Sequence, residues 1–360
     1  MNYKETLFFI AKSLTISLED KNRQEIEKQL QSNTIDWDTV VKVSTAHYVF
    51  PAMYCNLKRV GFLSYLPQEL LSYMQHITDI NRERNKQIIS QANELNNVLL
   101  ANNIRSIFLK GTGNLLAGIY DDIAERMVGD IDFIFSKEDY PKAITILREF
   151  GYSEVIKKEY YPPDEKKHYR RLQKENNISA IEIHSELLGI KKYSSEFNYS
   201  FVEKDSQLVN GASVLSYANK INLSIIANQV NDSGFYYKTI ALRNAYDVFL
   251  LSKKTNAKDA VNSLNKLSHP LNCFLAACDE VFNQVDSLEY NNTKKVAFYL
   301  SVFNSQFINS RKTKRRHKRI KAYLFLKSRL NIIYKAAIYK EYRVWFFKKL
   351  SSFLMSLREG

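Results

Sequence analysis

Two aspartates in an apolar run constrain the fold of this chain more than any other feature. Asp130 and Asp132 lie in the segment GDIDFIF at residues 129–135. Successive side chains of an extended strand point to opposite faces, so both carboxylates project from one face while Ile131 and Phe133 point into a core. The segment therefore predicts a buried strand with two neighbouring negative charges on one side.

A turn of small residues precedes this strand. Gly111-Thr112-Gly113 follows the apolar run Ile104–Leu109 and comes sixteen residues before Gly129. Two carboxylates close together on a rigid strand repel each other unless a cation lies between them. The turn and the paired aspartates together indicate a Mg²⁺ site beside the phosphates of a nucleotide. For an isolated Asp-x-Asp pair, an exposed strand end without metal is the simpler interpretation.

In this region the chain resembles a known family. The run Leu109-Lys110-Gly111, a helix ending in Ile119-Tyr120, and the segment RMVGDID at 126–132 look like the uncharacterised nucleotidyltransferase family of bacteria. That family is a branch of the polymerase-β-like nucleotidyltransferase superfamily, which has a Gly-Gly or Gly-Ser turn and then Asp-x-Asp or Asp-x-Glu on the next strand. Thr112 stands here in place of the second small residue. The resemblance extends from about residue 40 to about residue 255.

The resemblance implies a transfer of a nucleoside monophosphate from an NTP to a hydroxyl. Asp130 and Asp132 would hold two Mg²⁺ ions, with Mn²⁺ as a substitute, and a third carboxylate would complete the site. Glu182 fits the third position, because it lies in the run AIEIHS at 180–185 with His184 on its own face. A salt-bridged glutamate on an exposed sheet face is the alternative. His184 would orient a neighbouring side chain, contact the substrate or simply be satisfied in the core.

The same resemblance implies which residues bind the nucleotide. Backbone N–H groups of Gly111, Thr112 and Gly113 and the Thr112 hydroxyl would hold the β- and γ-phosphates, and a Cβ there would keep phosphate away from the backbone. Lys110 and Arg126 are the nearby cations. Each of the two either contacts phosphate or forms a structural ion pair.

The periodicity of apolar residues predicts both helices and strands, and the resemblance implies that they form an α/β (α+β) fold in which helices flank a small mixed sheet. The pattern divides the chain into a helical N-terminal region at 1–66, a catalytic core at 67–200, a helical domain at 201–310 and a basic amphipathic helix at 311–360. The first region should contain the helices Tyr3–Leu18, Asn22–Gln31 and Trp37–Leu57. The core should contain helices at Gln68–Asn103, Thr112–Tyr120 and Lys137–Phe150, and strands at Ile104–Leu109, Asp130–Phe135, Tyr152–Lys158, His168–Lys174 and Ser179–Ser185, with a turn at Pro162-Pro163.

Three polar residues outside the strands have open roles. His47 either packs at a helix end or reaches the active site. Arg243 and Asp247 are one helical turn apart and are expected to pair with each other, either for packing or as part of the nucleotide cleft.

The positive charge is concentrated at the C-terminal end. Residues 311–360 contain 16 Lys or Arg and two acids, so the net charge of this segment is +14, the same as that of the whole chain. Eight of these cations fall within 311–321, and apolar residues from Tyr323 to Leu357 follow at helical spacing. Such a helix can pack on its own protein, lie on an anionic membrane or bind RNA phosphates, and the sequence does not decide among the three.

The composition is typical of a cytoplasmic protein. Neither a secretory signal nor an apolar stretch of about eighteen residues is recognisable. The cysteines lack metal-ligand spacing, which is typical of core thiols in a reducing compartment; they are Cys55, Cys273 and Cys278. We therefore expect a cytoplasmic location, with a peripheral contact to membrane if the C-terminal helix provides one.

Two main functions remain open at this point, beside a third possibility of a membrane-surface protein that acts near envelope polysaccharide assembly. The first is Mg²⁺-dependent nucleotidyl transfer from an NTP to a small molecule, a protein side chain or an RNA 3′ end. The alternative is a catalytically inactive protein that binds a nucleotide or RNA as an accessory factor through residues 311–360. Metal binding separates them, because only the enzyme needs Asp130 and Asp132 to bind Mg²⁺ together with an NTP.

Overall fold

The computed structural model describes residues 1–155 and 168–356. This part of the chain contains sixteen α-helices and seven short strands. The helices are α1 (Tyr3–Ser13), α2 (Asp20–Gln31), α3 (Trp37–Ala46), α4 (Phe50–Arg59), α5 (Gln68–Ala101), α6 (Lys110–Leu116), α7 (Asp139–Glu149), α8 (Tyr199–Glu203), α9 (Tyr217–Ile226), α10 (Gly234–Tyr237), α11 (Leu242–Ser252), α12 (Ala257–Asn262), α13 (Ser268–Val281), α14 (Lys294–Ser305), α15 (Ser310–Ile338) and α16 (Lys340–Ser356). The strands are β1 (Ile107–Phe108), β2 (Asp130–Ile134), β3 (Ser153–Glu154), β4 (Leu172–Gln173), β5 (Ala180–His184), β6 (Gln207–Val209) and β7 (Ala212–Val214). The α/β class with helical flanks is confirmed.

The strands form one mixed sheet in the order β3-β4-β5-β2-β1-β7-β6. β2 is parallel to β5 and antiparallel to β1, and β1 is parallel to β7. The strand that carries the two aspartates is thus a central strand, with β5 and β1 on its two sides. As the alternation predicts, Ile131 and Phe133 are fully buried.

The hairpin β6–β7 is the part of the sheet that the sequence prediction lacked. β7 pairs with β1 through Ile107–Ser213 and Phe108–Val214. The sheet therefore includes two strands that follow residue 200, after the short helix α8, and the next helix, α9, begins at Tyr217. The turn expected at Pro162-Pro163 and the end of the strand expected from Tyr152 to Lys158 lie outside the described residues.

The helix expected at Trp37–Leu57 is interrupted. α3 ends at Ala46 and α4 begins at Phe50, because Tyr48 adopts a left-handed conformation with φ of 57° between them. A non-glycine residue at positive φ breaks the run of helical hydrogen bonds. The three cysteines are free and buried, as expected for core thiols.

The C-terminal segment forms two helices rather than the single helix expected from its sequence. Tyr339 has an extended backbone between α15 and α16, and the two helices contact each other on either side of it. Ile332 and Tyr342 are buried in this helical hairpin. No helix among the described residues is long and apolar enough to cross a membrane.

Candidate active site

The parallel register of β2 and β5 brings the predicted carboxylates together. Asp132 lies directly beside Glu182, and Asp130 lies beside Ala180 at the start of the pair. Because Asp130 is two residues from Asp132 on one strand, all three acids share one face of the sheet. Asp132 is buried and Asp130 and Glu182 are half-buried.

The ammonium of Lys110 lies between two of these carboxylates. Its Nζ is 2.6 Å from Asp132 Oδ1 and 3.8 Å from Glu182 Oε2. Burial alone would lower the pKa of Lys110, but the Asp132 carboxylate raises it. Lys110 begins α6 with a φ of 49°, a conformation that costs a non-glycine residue about 1 kcal/mol or more and that is concentrated at functional sites.

His184 is the second group that contacts Asp132. Its Nε2 lies 2.8 Å from Asp132 Oδ1 and 3.6 Å from Glu182 Oε2, and its Nδ1 lies 3.4 Å from the carbonyl oxygen of Glu186. Burial alone would raise the pKa of Asp132, but Lys110 and His184 together hold it well below its usual range. The Asp132 carboxylate is therefore held in place by two nitrogen groups, the Lys110 ammonium and the His184 imidazole.

Asp130 has a different partner, the guanidinium of Arg171 just before β4. Burial raises the pKa of Asp130, and Arg171 opposes this effect. Sequence reasoning missed Arg171. Leu172 pairs with Ile181, so the preceding residue, Arg171, lies beside Glu182 on the carboxylate face. The alternation of Arg171 with Leu172 was the signal available in the sequence.

The donor set fits a divalent cation in chemistry. Asp132, Glu182 and His184 each offer a ligand atom, and these atoms lie within 4.8 Å of one another. Carboxylate oxygens suit Mg²⁺ and Mn²⁺, and an imidazole nitrogen favours the softer of the two. The Lys110 ammonium now supplies the positive charge between the carboxylates, so it must move away from them before a cation can bind there.

The glycine turn has a structural role that the sequence prediction did not include. Gly111, Thr112 and Gly113 are all buried. The Gly113 N–H donates to the carbonyl of Leu109 at 2.9 Å, and the Thr112 hydroxyl donates to the carbonyl of Asp130 at 3.1 Å. The Thr112 hydroxyl and the Gly113 amide, expected on phosphate, are therefore engaged with the backbone and fasten α6 to the sheet.

Arg126 forms a structural ion pair, which is the second of the two roles considered for it. Its Nε and Nη2 both lie 3.1 Å from Asp247 Oδ2, and the Tyr120 hydroxyl donates to Asp247 Oδ1 at 2.7 Å. Burial alone would lower the pKa of Arg126, but Asp247 raises it. The expected pairing of Asp247 with Arg243 is wrong: the Arg243 guanidinium instead lies over the ring of Tyr48 at 4.9 Å.

Helix α5 and its neighbours hold the loop that leads into β2. The side-chain amides of Asn81 and Asn85 donate to backbone carbonyls of residues 123, 124 and 126. Glu125 is buried and accepts hydrogen bonds from Arg59 and from the Tyr246 hydroxyl. These contacts fix the backbone immediately before Asp130 and so position its side chain.

His47 packs at a helix end, which is the first of the two roles considered for it. It directly follows α3, which ends at Ala46, and its Nδ1 accepts the backbone N–H of Leu242 at 3.2 Å. This bond links the N-terminal helices to the start of α11.

A family of known proteins matches most of this chain. The model of an uncharacterised nucleotidyltransferase family matches residues 33–279, and the chain belongs to that family. Among solved structures, JHP933 from Helicobacter pylori matches with 14% sequence identity over 70% of this chain and 97% of the other, with a TM-score of 0.28. A search of curated proteins finds no match.

Proposed function

We propose that this protein transfers a nucleoside monophosphate from an NTP to an acceptor hydroxyl, with a divalent metal as cofactor. The observation that supports it most strongly is the register that sets Asp132 beside Glu182 on adjacent parallel strands, with Asp130 on the same face. Membership of a nucleotidyltransferase family supplies the reaction class. The acceptor is a small molecule, a protein side chain or an RNA 3′ end.

Asp130, Asp132 and Glu182 would hold two Mg²⁺ ions, or Mn²⁺ in their place. When bound, such ions polarise the phosphate oxygens and favour deprotonation of the attacking hydroxyl. All three acids lie on a central pair of strands, which limits their movement, so the ligand atoms would keep their positions while substrate binds.

The reaction would be an in-line displacement at the α-phosphorus. The acceptor oxygen forms a bond to that phosphorus, the bond to the β-phosphate oxygen breaks, and pyrophosphate leaves. Glu182 would accept the proton of the hydroxyl, because it is the half-buried acid next to Asp132. His184 would keep Asp132 in one orientation through the 2.8 Å contact.

Lys110 would pair with the triphosphate once it leaves Asp132, together with the backbone N–H of Gly111. Arg171 would act in the same way, since its side chain is 49% exposed and already lies at the edge of the carboxylate cluster. A guanidinium can bind phosphate oxygens in bidentate fashion, so Arg171 takes over the role that the sequence suggested for Arg126.

One observation favours the alternative of a catalytically inactive accessory protein. Each aspartate of the cluster already has a cationic partner, Lys110 for Asp132 and Arg171 for Asp130. In that case the cluster would be a structural ion-pair network, and it would need no metal to balance its charge.

The test is the thermal stability of the protein with each of the four NTPs, with and without Mg²⁺. A ligand that binds the native state raises the melting temperature, so nucleotide binding appears as a shift. The variants are Asp130→Asn/Asp132→Asn and Glu182→Gln. The matched control is Asp139→Asn, because the Asp139 side chain is 27% exposed and paired with Lys142, much as Asp130 is 25% exposed and paired with Arg171.

We expect a Mg²⁺-dependent shift with at least one NTP in the wild type and in the control. The shift should disappear in the double variant and shrink in Glu182→Gln. Equal Mg²⁺-dependent shifts in all four proteins, or no shift in the wild type, would contradict the proposal and favour the accessory role.

A further inference from the structure

Helix α15 carries a row of large apolar side chains that the protein leaves uncovered. Leu326, Leu330 and Ile333 are 58%, 66% and 55% exposed. Their spacing of four and three residues places them on one face of the helix, and Tyr323 and Tyr334 border that face with exposures of 53% and 66%. We call these five residues the apolar row.

The apolar row is not simply the unburied side of an isolated helix. Ile332, on a different face of α15, is 4% exposed, and Tyr342 of α16 is 2% exposed. The Lys335 ammonium donates to the Tyr342 hydroxyl at 3.0 Å, which ties the two helices together. The hairpin thus has an interior of its own and still presents Leu and Ile side chains outward. Exposed apolar patches of this kind mark interaction surfaces.

The hairpin is fastened to the rest of the protein near its beginning. The Arg316 guanidinium donates to the carbonyl of Tyr237 at 2.6 Å, and the centroids of the Tyr236 and Tyr323 rings are 6.3 Å apart. These contacts involve the first half of α15. Leu326, Leu330 and Ile333 follow them along the helix and remain exposed.

The charge of residues 311–360 indicates which kind of partner binds the apolar row. Residues 311–360 hold 16 Lys or Arg and two acids. A second copy of the same hairpin would bring these cations against one another, which is unfavourable. RNA would satisfy the cations, and its bases could stack on Tyr323 and Tyr334, but it would leave Leu326, Leu330 and Ile333 without an apolar partner. An anionic bilayer satisfies both features, because acyl chains accept Leu and Ile, tyrosines suit the interface and head groups attract Lys and Arg.

We propose that the α15–α16 hairpin docks on the surface of an anionic lipid bilayer. Leu326, Leu330 and Ile333 enter the boundary between head groups and acyl chains, and the cations within 311–321 contact the head groups. The inference rests on the hairpin alone and does not depend on the proposed catalytic function.

The experiment is flotation of the full chain with vesicles of phosphatidylcholine, with and without phosphatidylglycerol. The first variant is Leu326→Gln/Leu330→Gln/Ile333→Gln. Its matched control is Leu18→Gln/Ile80→Gln/Leu208→Gln, which changes the same number of apolar residues with exposures of 51%, 52% and 73% elsewhere on the surface. The second variant is Arg315→Gln/Lys318→Gln/Arg319→Gln, which removes three exposed cations of α15.

We expect the wild type and the control to float with phosphatidylglycerol vesicles and not with phosphatidylcholine alone. The apolar variant should partition roughly a hundredfold less, since three half-exposed side chains no longer enter the lipid. The charge variant should lose about fivefold per cation removed, and added salt should have the same effect. Asp132→Asn should float like the wild type.

Three results would overturn the proposal. The first is a wild type that does not float, and the second is an apolar variant that floats as well as its control. The third is RNA binding or dimer formation that the apolar variant abolishes while flotation is absent, measured by fluorescence anisotropy and light scattering. All three substituted residues are more than half exposed, so helix content by circular dichroism should be unchanged in the variant.

Discussion

Replacing Gly113 with alanine would place a Cβ atom 2.5 Å from the carbonyl oxygen of Phe108 and 2.9 Å from its carbonyl carbon. Phe108 belongs to β1, so the atoms in the way are backbone atoms of the sheet. Ordinary contact begins near 3.4 Å, and α6 would have to move away from β1 by roughly 1 Å. The same helix carries Lys110 at its start, so the movement would also disturb the carboxylate cluster.

The expected cost follows from two opposing effects. Overpacking a well-packed site costs about 1–3 kcal/mol, and a collision with backbone belongs at the upper end of that range. Alanine is favoured over glycine inside a helix by about 1 kcal/mol. We therefore expect Gly113→Ala to lower the free energy of unfolding by about 2 kcal/mol.

Urea denaturation followed by circular dichroism measures this difference, and Gly129→Ala is the matched control. Gly129 precedes β2, does not have a positive φ, and has no atom within 4 Å of an added Cβ. The control should match the wild type within about 0.5 kcal/mol. If Gly113→Ala is as stable as the control and loses only nucleotide binding, packing is not the reason for the glycine, and the phosphate contact expected from the sequence would be the better explanation.

Two further predictions concern groups outside the carboxylate cluster. Asp247→Asn should lower the free energy of unfolding by about 3 kcal/mol, because it leaves the guanidinium of Arg126 buried without its carboxylate. A free energy of unfolding equal to that of the wild type in urea denaturation would contradict this prediction. Burial lowers the pKa of His47 to about 4, whereas its pKa in the unfolded chain is about 6.5. The stability due to neutral His47 is therefore complete above about pH 6.5 and is lost as the pH falls toward 4. His47→Gln should remove about 3 kcal/mol of that pH dependence in acid denaturation, because a protonated Nδ1 can no longer accept the Leu242 N–H; an unchanged pH profile would show that the fold does not hold His47 neutral.

The central strand and its carboxylates were predictable because they depend on local patterns. Alternation alone places Asp130 and Asp132 on one face, and the same alternation places Glu182 and His184 on one face of their strand. The pairing of Asp132 with Glu182 joins residues 50 apart, and the family resemblance supplied what the pattern could not.

The polar partners of the site could not be predicted in this way. Arg126 and Asp247 are 121 residues apart, and Lys110 contacts Asp132 from a left-handed backbone conformation that its sequence does not predict. The hairpin β6–β7 was missed because its strands have three residues each and Leu208 is 73% exposed, although its Asn210-Gly211 turn was an available hairpin signal. For the ion pairs, a tertiary contact decides what the local sequence leaves open.

The most direct test of the proposed metal and nucleotide site is the water-proton relaxation rate of Mn²⁺ and an NTP in the presence of the protein. Mn²⁺ bound in a slowly tumbling complex relaxes water protons faster than the free Mn²⁺–nucleotide complex. The proposal predicts this enhancement for the wild type and for Asp139→Asn, and its loss in Asp132→Asn. An enhancement of equal size in Asp132→Asn, or none in the wild type with any of the four nucleotides, would contradict the assignment of Asp130, Asp132 and Glu182 as the metal ligands.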